Sequence, residues 1–179
     1  MARHRWRRPT QQSRRSQTGE GRERKAPEPG EAYDVAVRLL GLRAHSGAEL
    51  SRKLVRRGFG RDVVEATVAR LTSQAYLDDA EFARALVNHR GGSRGGAAIA
   101  AELAAKGVAR SVAQSAVAEM DGELEIEAAV RFARRWLPRA EPGSLRSLLN
   151  VAGSRLARRG YSPSVVREAC RRALEAGTA

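Results

Sequence analysis

Apolar residues recur along most of the chain at the three- and four-residue spacing of one helix face. From residue 31 onward, three segments share one order: an apolar residue, a leucine four positions later, a basic residue, a glycine and another apolar residue. They are Leu50, Leu54, Arg57, Gly58, Phe59, then Ile99, Leu103, Lys106, Gly107, Val108, then Ala152, Leu156, Arg159, Gly160, Tyr161. The glycines are about 50 residues apart, a period that predicts tandem helical repeats.

Each repeated segment has the signals of a helix end. Its glycine is expected in the left-handed conformation just past the helix, where a β-carbon is disfavoured, and the basic residue before it lies at the negative end of the helix dipole. A third helix follows, introduced in the last repeat by an N-cap serine and a first-turn proline, Ser162 and Pro163. A longer helix opens each repeat, over about residues 31–43, 79–90 and 123–137, the last stopping at Pro138. Asp78 and Asp79 are interpreted as caps of the second of these helices.

The predicted fold is all-α, with three tandem three-helix repeats in an elongated, curved array. The repeats are placed at residues 31–76, 77–122 and 123–179. Residues 1–30 combine many arginines with Gln, Ser, Gly and Pro and almost nothing to bury, so this segment is predicted to be a disordered basic arm. No repeat of this size buries much alone, and stability is expected to come partly from neighbouring repeats.

Net charge is the strongest signal in the composition. The chain carries 33 Lys and Arg against 20 Asp and Glu, a formal charge of +13. Basic proteins accumulate on polyanions because binding releases condensed counterions, so weak electrostatic contact with single- and double-stranded DNA is expected. In the arm the candidates are Arg3, Arg5, Arg7, Arg8, Arg14 and Arg15. The alternative for the arm is a dispensable solvated tail.

No set of residues predicts a catalytic or metal site. His4, His45 and His89 are scattered, with the latter two expected to be exposed or capping near helix ends, and Cys170 lies at an apolar helix position. The run from Gly91 to Gly96 lacks the ending of a phosphate-binding loop and is interpreted as a flexible turn. The prediction is a non-enzyme without cofactor or metal.

The cellular compartment is predicted from the kinds of segment that the sequence lacks. A single cysteine fits a reducing environment, and neither a membrane-spanning stretch nor the apolar core of a signal peptide is seen. A cytoplasmic protein with no membrane partner is therefore expected. A monomer is also expected, although no feature of the sequence addresses the oligomeric state.

Basic side chains on the repeats are the remaining candidates for binding. The first repeat places like charges four residues apart on one helix, and an anionic partner would relieve their repulsion. The third repeat keeps this basic face, whereas the middle one is mostly alanine there. The candidate residues are Arg52, Lys53, Arg56, Arg57, Arg94, Lys106, Arg155, Arg158 and Arg159.

Three groups of residues resemble the RecX family over about residues 31–179. The first repeat has Ser46, Glu49, Leu50, Lys53, Leu54, Arg57, Gly58 and Phe59; the second has Tyr76, Leu77, Asp78, Asp79, Phe82 and Ala83, followed by Glu102, Leu103, Lys106, Gly107 and Val108. The resemblance implies three helical repeats that bind the RecA–DNA filament, restrain its ATPase and strand exchange, and link to DNA repair and the SOS response. It carries no catalytic residues. The chain departs from the family by having Gly95 to Ala98, without basic residues, before Ile99, and by its long arginine-rich arm.

A different class of function remains open. Helix-turn-helix-like units could make the chain an autonomous DNA-binding protein, transcriptional or architectural. Against this alternative, the second and third helices of the repeats are expected to lack the Asn, Gln or Arg in the first turn that would read base edges. Steep salt dependence and tight duplex binding without RecA would favour it.

Overall fold

The computed structural model describes residues 29–176, and this range is all-helical with no strand. Two groups of three helices come first. They are α1 (Pro29–Leu42), α2 (Gly47–Val55) and α3 (Arg61–Ser73), then α4 (Asp79–Gly91), α5 (Gly96–Lys106) and α6 (Arg110–Ala118). The predicted basic arm lies outside the described residues except for Pro29 and Gly30, which begin α1.

A third group follows with the same order but a longer second member. It comprises α7 (Gly122–Arg134), a 3₁₀ turn (Leu137–Arg139), α8 (Leu145–Leu148), a π-helical segment (Leu149–Gly153), α9 (Ser154–Arg158) and α10 (Pro163–Glu175). The predicted first helix over 123–137 is too long, since α7 ends at Arg134. Proline disfavours helical backbone at the residue before it and has no N–H to continue the bonding pattern, so Pro138 enters the 3₁₀ turn instead.

Each group of helices buries a small core of its own, built largely from alanine, leucine and valine. The first is centred on Leu50, Leu54 and Leu71, the second on Ile99 and Leu103. The third combines Leu148, Leu156, Tyr161 and Cys170 with several buried alanines. The residues with the helical apolar spacing are the ones that meet in these cores, which confirms the all-helical repeat fold.

The repeated glycines take the predicted left-handed conformation. Their φ angles are +93° at Gly58, +86° at Gly107 and +86° at Gly160. In each case the next residue folds back under the helix end: the amide of Phe59 donates to the carbonyl of Leu54 at 3.3 Å, and Val108 and Tyr161 do the same in their repeats. This is the left-handed helix termination expected from the sequence.

Candidate partner-binding surface and repeat joints

The N-terminus of α2 rests on the C-terminus of α5, although the two helices belong to different repeats. Ser46 caps α2 by accepting from the amide of Glu49 at 3.1 Å, and its hydroxyl donates to the carbonyl of Lys106 at 2.7 Å. The guanidinium of Arg52 donates to the same carbonyl at 3.1 Å. Ala48 lies so close to Gly107 that a β-carbon added to Gly107 would be 2.3 Å from the β-carbon of Ala48. We call this contact the first joint.

The same kind of contact recurs between α5 and the end of α9, and we call it the second joint. The amide of Gly95 donates to the carbonyl of Arg159 at 3.0 Å, and that of Ala97 to the carbonyl of Gly160 at 3.2 Å. A β-carbon on Gly160 would lie 2.2 Å from the amide nitrogen of Ala98. Glycine at the end of these helices is therefore required twice, by its φ angle and by the neighbouring helix.

The two joints connect the second helices of the three repeats in the order α9, α5, α2. At each joint, carbonyls left unpaired by the end of one helix accept hydrogen bonds from groups of the next. The loop from Gly91 to Gly96, predicted to be a flexible turn, is held at its far end by this arrangement. Its backbone forms part of the second joint.

Two acidic residues tie the repeats together beside the joints. Asp79, at the start of α4, accepts from the amide of Gly47 at the start of α2, at 2.8 Å. Glu125 of α7 accepts in the same way from the amide of Gly96 at the start of α5, at 3.0 Å. Asp78 caps α4 as predicted, by accepting from the amides of Ala80 and Glu81. The prediction that Asp79 caps the same helix is wrong, because its carboxylate caps a helix of the preceding repeat.

One carboxylate at the first joint serves two cations. Glu49 lies 3.3 Å from Arg43 and 3.4 Å from the ammonium of Lys106, so it pairs residues of two repeats. Burial alone would raise the pKa of Glu49, but the hydrogen bond from Arg43 and the nearby charge of Lys106 lower it below its ordinary value. Lys106 therefore contributes to the joint rather than standing free for a partner.

His45 is buried in the same region, which corrects the expectation that it would be exposed or would cap a helix end. Its side chain is 3% exposed, with Nδ1 2.8 Å from the carbonyl of Arg43 and Nε2 2.7 Å from the ammonium of Lys53. Both contacts are satisfied by a neutral ring that donates from Nδ1 and accepts at Nε2. Burial lowers the pKa of His45, although the Arg43 carbonyl opposes this; the charges of Arg43 and Lys53 lower it further.

Two basic candidates of the third repeat lie over aromatic rings. The guanidinium of Arg155 is 4.0 Å from the centre of the Trp136 ring, and that of Arg159 is 4.3 Å from the centre of the Phe132 ring. Arg159 also donates to the carbonyl of Ser93 across the second joint, at 3.2 Å. Cation–π contact and hydrogen bonding thus hold both side chains within the fold.

The nine basic candidates divide by what they contact. Arg52, Lys106 and Arg159 bind carbonyl or carboxylate groups across the joints, Lys53 binds His45, Arg94 pairs with Glu102 at 3.6 Å, and Arg155 covers Trp136. Arg57 is exposed and donates to the carbonyl of Lys53. The guanidinium groups of Arg56 and Arg158 are exposed and make no hydrogen bond or ion pair with any described residue. Contacts within the fold therefore hold Arg52 and Lys53 of α2, whereas Arg56 and Arg57 just beyond its end are exposed.

Two further exposed arginines were not among the predicted binding residues. Arg61 is the first residue of α3 and Arg110 the first residue of α6. The expectation that the third helices lack arginine in the first turn is therefore wrong for two of the three repeats. Both helices begin after a residue that provides no side-chain cap, Gly60 or Ala109, so the sequence lacks the usual signal for where they start.

The described residues contain no group of three or more His, Cys, Asp or Glu side chains placed to hold a metal ion. Cys170 is fully buried in the third core, and burial raises the pKa of its thiol to about 11, so it is a core residue at neutral pH. Within residues 29–176, every helix is too short or too polar to cross a bilayer.

Comparison with known proteins points to one family. A family model for the first three-helix domain of RecX matches residues 32–71, and one for the second three-helix domain matches residues 78–117. The chain is 50% identical over 58 residues to the regulatory protein RecX of Xanthomonas oryzae pv. oryzae strain MAFF 311018, and 42% identical over 59 residues to that of Chlorobium phaeobacteroides strain BS1. These alignments cover 32% and 33% of this chain, and span only 36% and 39% of the relatives' length.

Solved structures extend the likeness of fold. A crystal structure of RecX from Lactobacillus salivarius superposes with a TM-score of 0.75 at 20% identity, covering 81% of this chain and 96% of that one. A crystal structure of regulatory protein RecX gives 0.68 at 22% identity, with 76% and 70% covered. Coverage of this extent takes in part of the third group of helices, beyond the two domains matched by sequence. The chain therefore carries the first and second three-helix domains of the RecX family, and its fold is that of the RecX crystal structures.

Proposed function

We propose that this protein regulates the recombinase RecA, mainly as an inhibitor, by binding along the RecA–DNA filament in the cytoplasm. The observation that supports the proposal best is the match to both RecX three-helix domains in a chain whose second helices meet at a left-handed glycine twice. A contact used repeatedly sets a regular spacing between repeats. A regularly spaced binder suits a partner that is itself a regular filament.

The basic surface supports an electrostatic part in this binding. Arg56, Arg57 and Arg158 are exposed, and the +13 charge of the whole chain favours approach to a nucleoprotein polyanion. Contact with free DNA is proposed to be weak and salt-dependent, with the arm residues contributing to it. The remaining candidates act indirectly, by fixing the repeats at which the exposed arginines are displayed.

The test is the single-stranded-DNA-stimulated ATPase of RecA, measured with increasing amounts of the purified protein. We expect the rate to fall at substoichiometric to near-stoichiometric ratios, and strand exchange to fall with it. An unchanged ATPase with a matched RecA across a range of salt concentrations would contradict the proposal. Tight binding to duplex DNA in the absence of RecA would instead favour the autonomous DNA-binding alternative, which Arg61 and Arg110 keep open.

A further inference from the structure

The second helices α9, α5 and α2 form a row connected by the joints, and each is followed by a left-handed glycine. Two of these three glycine ends are covered by the first turn of the next helix in the row. Ala48 of α2 covers Gly107, and Ala98 of α5 covers Gly160. The third, Gly58 at the end of α2, has the same left-handed conformation, but no described residue other than its chain neighbours has an atom within 4 Å of the position of its β-carbon. Among the described residues nothing covers this glycine, and we call this end of α2 the bare end.

The bare end presents the groups that are occupied at the joints. At the first joint the carbonyl of Lys106 accepts two hydrogen bonds, and its ammonium meets Glu49. Arg57 holds the position of Lys106 in the first repeat, yet no described backbone or side-chain group donates to its carbonyl or to that of Arg56. Val55 beside them is 47% exposed. The end of α2 thus offers the same kinds of acceptor and basic group as the first joint, and no residue between 29 and 176 occupies them.

We propose that this bare end, Val55–Gly58, is the docking surface for the first turn of a helix of the RecA protomer. This inference rests on the proposed function. The helix that fits has glycine or alanine in its first turn, as Gly47–Ala48 and Gly96–Ala98 do, because any larger residue would collide with the flat glycine surface. A carboxylate in that turn would pair with Arg57 as Glu49 pairs with Lys106. The contact follows the first joint in its side-chain pairing, and the second joint makes a related contact through backbone amides.

A second copy of this chain is a poorer occupant. The helix start left uncovered at the other end of the row is α8, whose first residues are Leu145 and Arg146. Leu145 and Arg146 stand where the joints have glycine and alanine, so they would strike the surface around Gly58. This misfit disfavours a second copy as the occupant and favours a different protein.

The decisive variant is Gly58→Asn, compared with Gly107→Asn. Asparagine tolerates the left-handed conformation better than other side chains do, and at Gly58 it would point into open space. We expect Gly58→Asn to keep a melting temperature near that of the wild type while its affinity for RecA filaments on single-stranded DNA falls about tenfold or more. Gly107→Asn would push into Ala48 and lower the melting temperature.

A photo-crosslink identifies the occupant. Val55→Cys labelled with a benzophenone maleimide gives one reactive site, because Cys170 is fully buried. We expect crosslinks to the first turn of a RecA helix that contains a small and an acidic residue. Wild-type protein that fails to bind filaments would overturn the proposed function together with this inference. Wild-type binding with equal affinity of Gly58→Asn, or with crosslinks only to DNA, to a second copy, to a RecA loop or to nothing, would overturn this inference alone.

Discussion

Gly92 and Gly95 lie three residues apart in the loop between α4 and α5, but their surroundings differ. A β-carbon on Gly95 would lie 2.4 Å from the backbone of Gly160, whereas one on Gly92 would meet nothing within 4 Å. We expect Gly95→Ala to destabilise the protein by about 1–3 kcal/mol, because backbone at the second joint cannot move away cheaply. Gly92→Ala is the control and should be neutral or slightly stabilising. Urea denaturation measures both, and equal stabilities would contradict the joint.

His45 makes stability depend on pH. Its pKa is lowered in the folded protein, so the unfolded chain binds the proton more readily. The contribution is complete above the ordinary value of 6.5 and is lost as the pH falls from there through the lowered value of the folded state. We expect the melting temperature of the wild type to drop over this interval and that of His45→Gln to drop less.

The matched control for this experiment is His89→Gln. His89 is exposed in the last turn of α4, and its ring does not contact Lys53 or Arg43. Its replacement should leave the pH profile of the melting temperature like that of the wild type. A wild-type profile that stays flat across the interval, or that His45→Gln does not alter, would show that the buried ring is not the titrating group.

Some residues were predictable from local signals and others were not. The left-handed glycines and the caps at Asp78 and Ser162 follow from residues within four positions along the chain. Asp79 looked like one more local cap, since the sequence does not show that the amide of Gly47 lies closer than those of its own helix. Such long-range choices depend on how repeats stack, which a single helical pattern does not specify.

At the scale of helices, the acidic links beside the joints are expected to stabilise the array. Asp79→Ala leaves the amide of Gly47 at the start of α2 without its acceptor, and loss of such a cap costs about 0.5–2 kcal/mol. Asp34→Ala on the exposed face of α1 is the control. Chemical denaturation should separate the two variants, and an Asp79→Ala protein as stable as Asp34→Ala would remove this link from the account.

Helix positions were predicted well where caps and glycines mark them, and less well in the third repeat. There the second helix starts at Leu145, earlier than the motif around Leu156 indicates, and passes through a π-helical segment. A π turn accommodates an extra residue without changing the apolar pattern on either side, so the pattern does not reveal it. Proline sets an outer limit for α7 but not the residue at which it ends.

At the scale of the whole molecule, the exposed arginines are expected to bind the filament. Reversal of two that make no described contact, Arg56→Glu with Arg158→Glu, should weaken filament binding about tenfold without lowering the melting temperature. Arg52 is left unchanged because it bonds the end of α5. The control, Arg38→Glu with Arg167→Glu, changes net charge equally on α1 and α10. Filament binding that falls equally in both doubles would mean that only overall charge matters.

The sequence predicted that basic residues would form the candidate surface, but it did not predict which of them would be exposed. Basic side chains near the ends of the second helices were identified, yet Arg52, Lys106 and Arg159 hold repeats together. Their acceptors are more than 50 residues away or on backbone atoms, and neither relationship can be detected from charge spacing. What remains exposed is a smaller set that the joints display at fixed positions.

The joints also limit how freely the repeats can be exchanged. A repeat moved to another position would bring its own helix start, and only a start with glycine and alanine can rest on a glycine end such as Gly107 or Gly160. A duplicate of the third repeat would offer Leu145 and Arg146 at that place. Although the chain is built from three similar repeats, each helix start fits only certain glycine ends. Proteins with rearranged or duplicated repeats are therefore expected to misfold more often than to form longer repeat arrays.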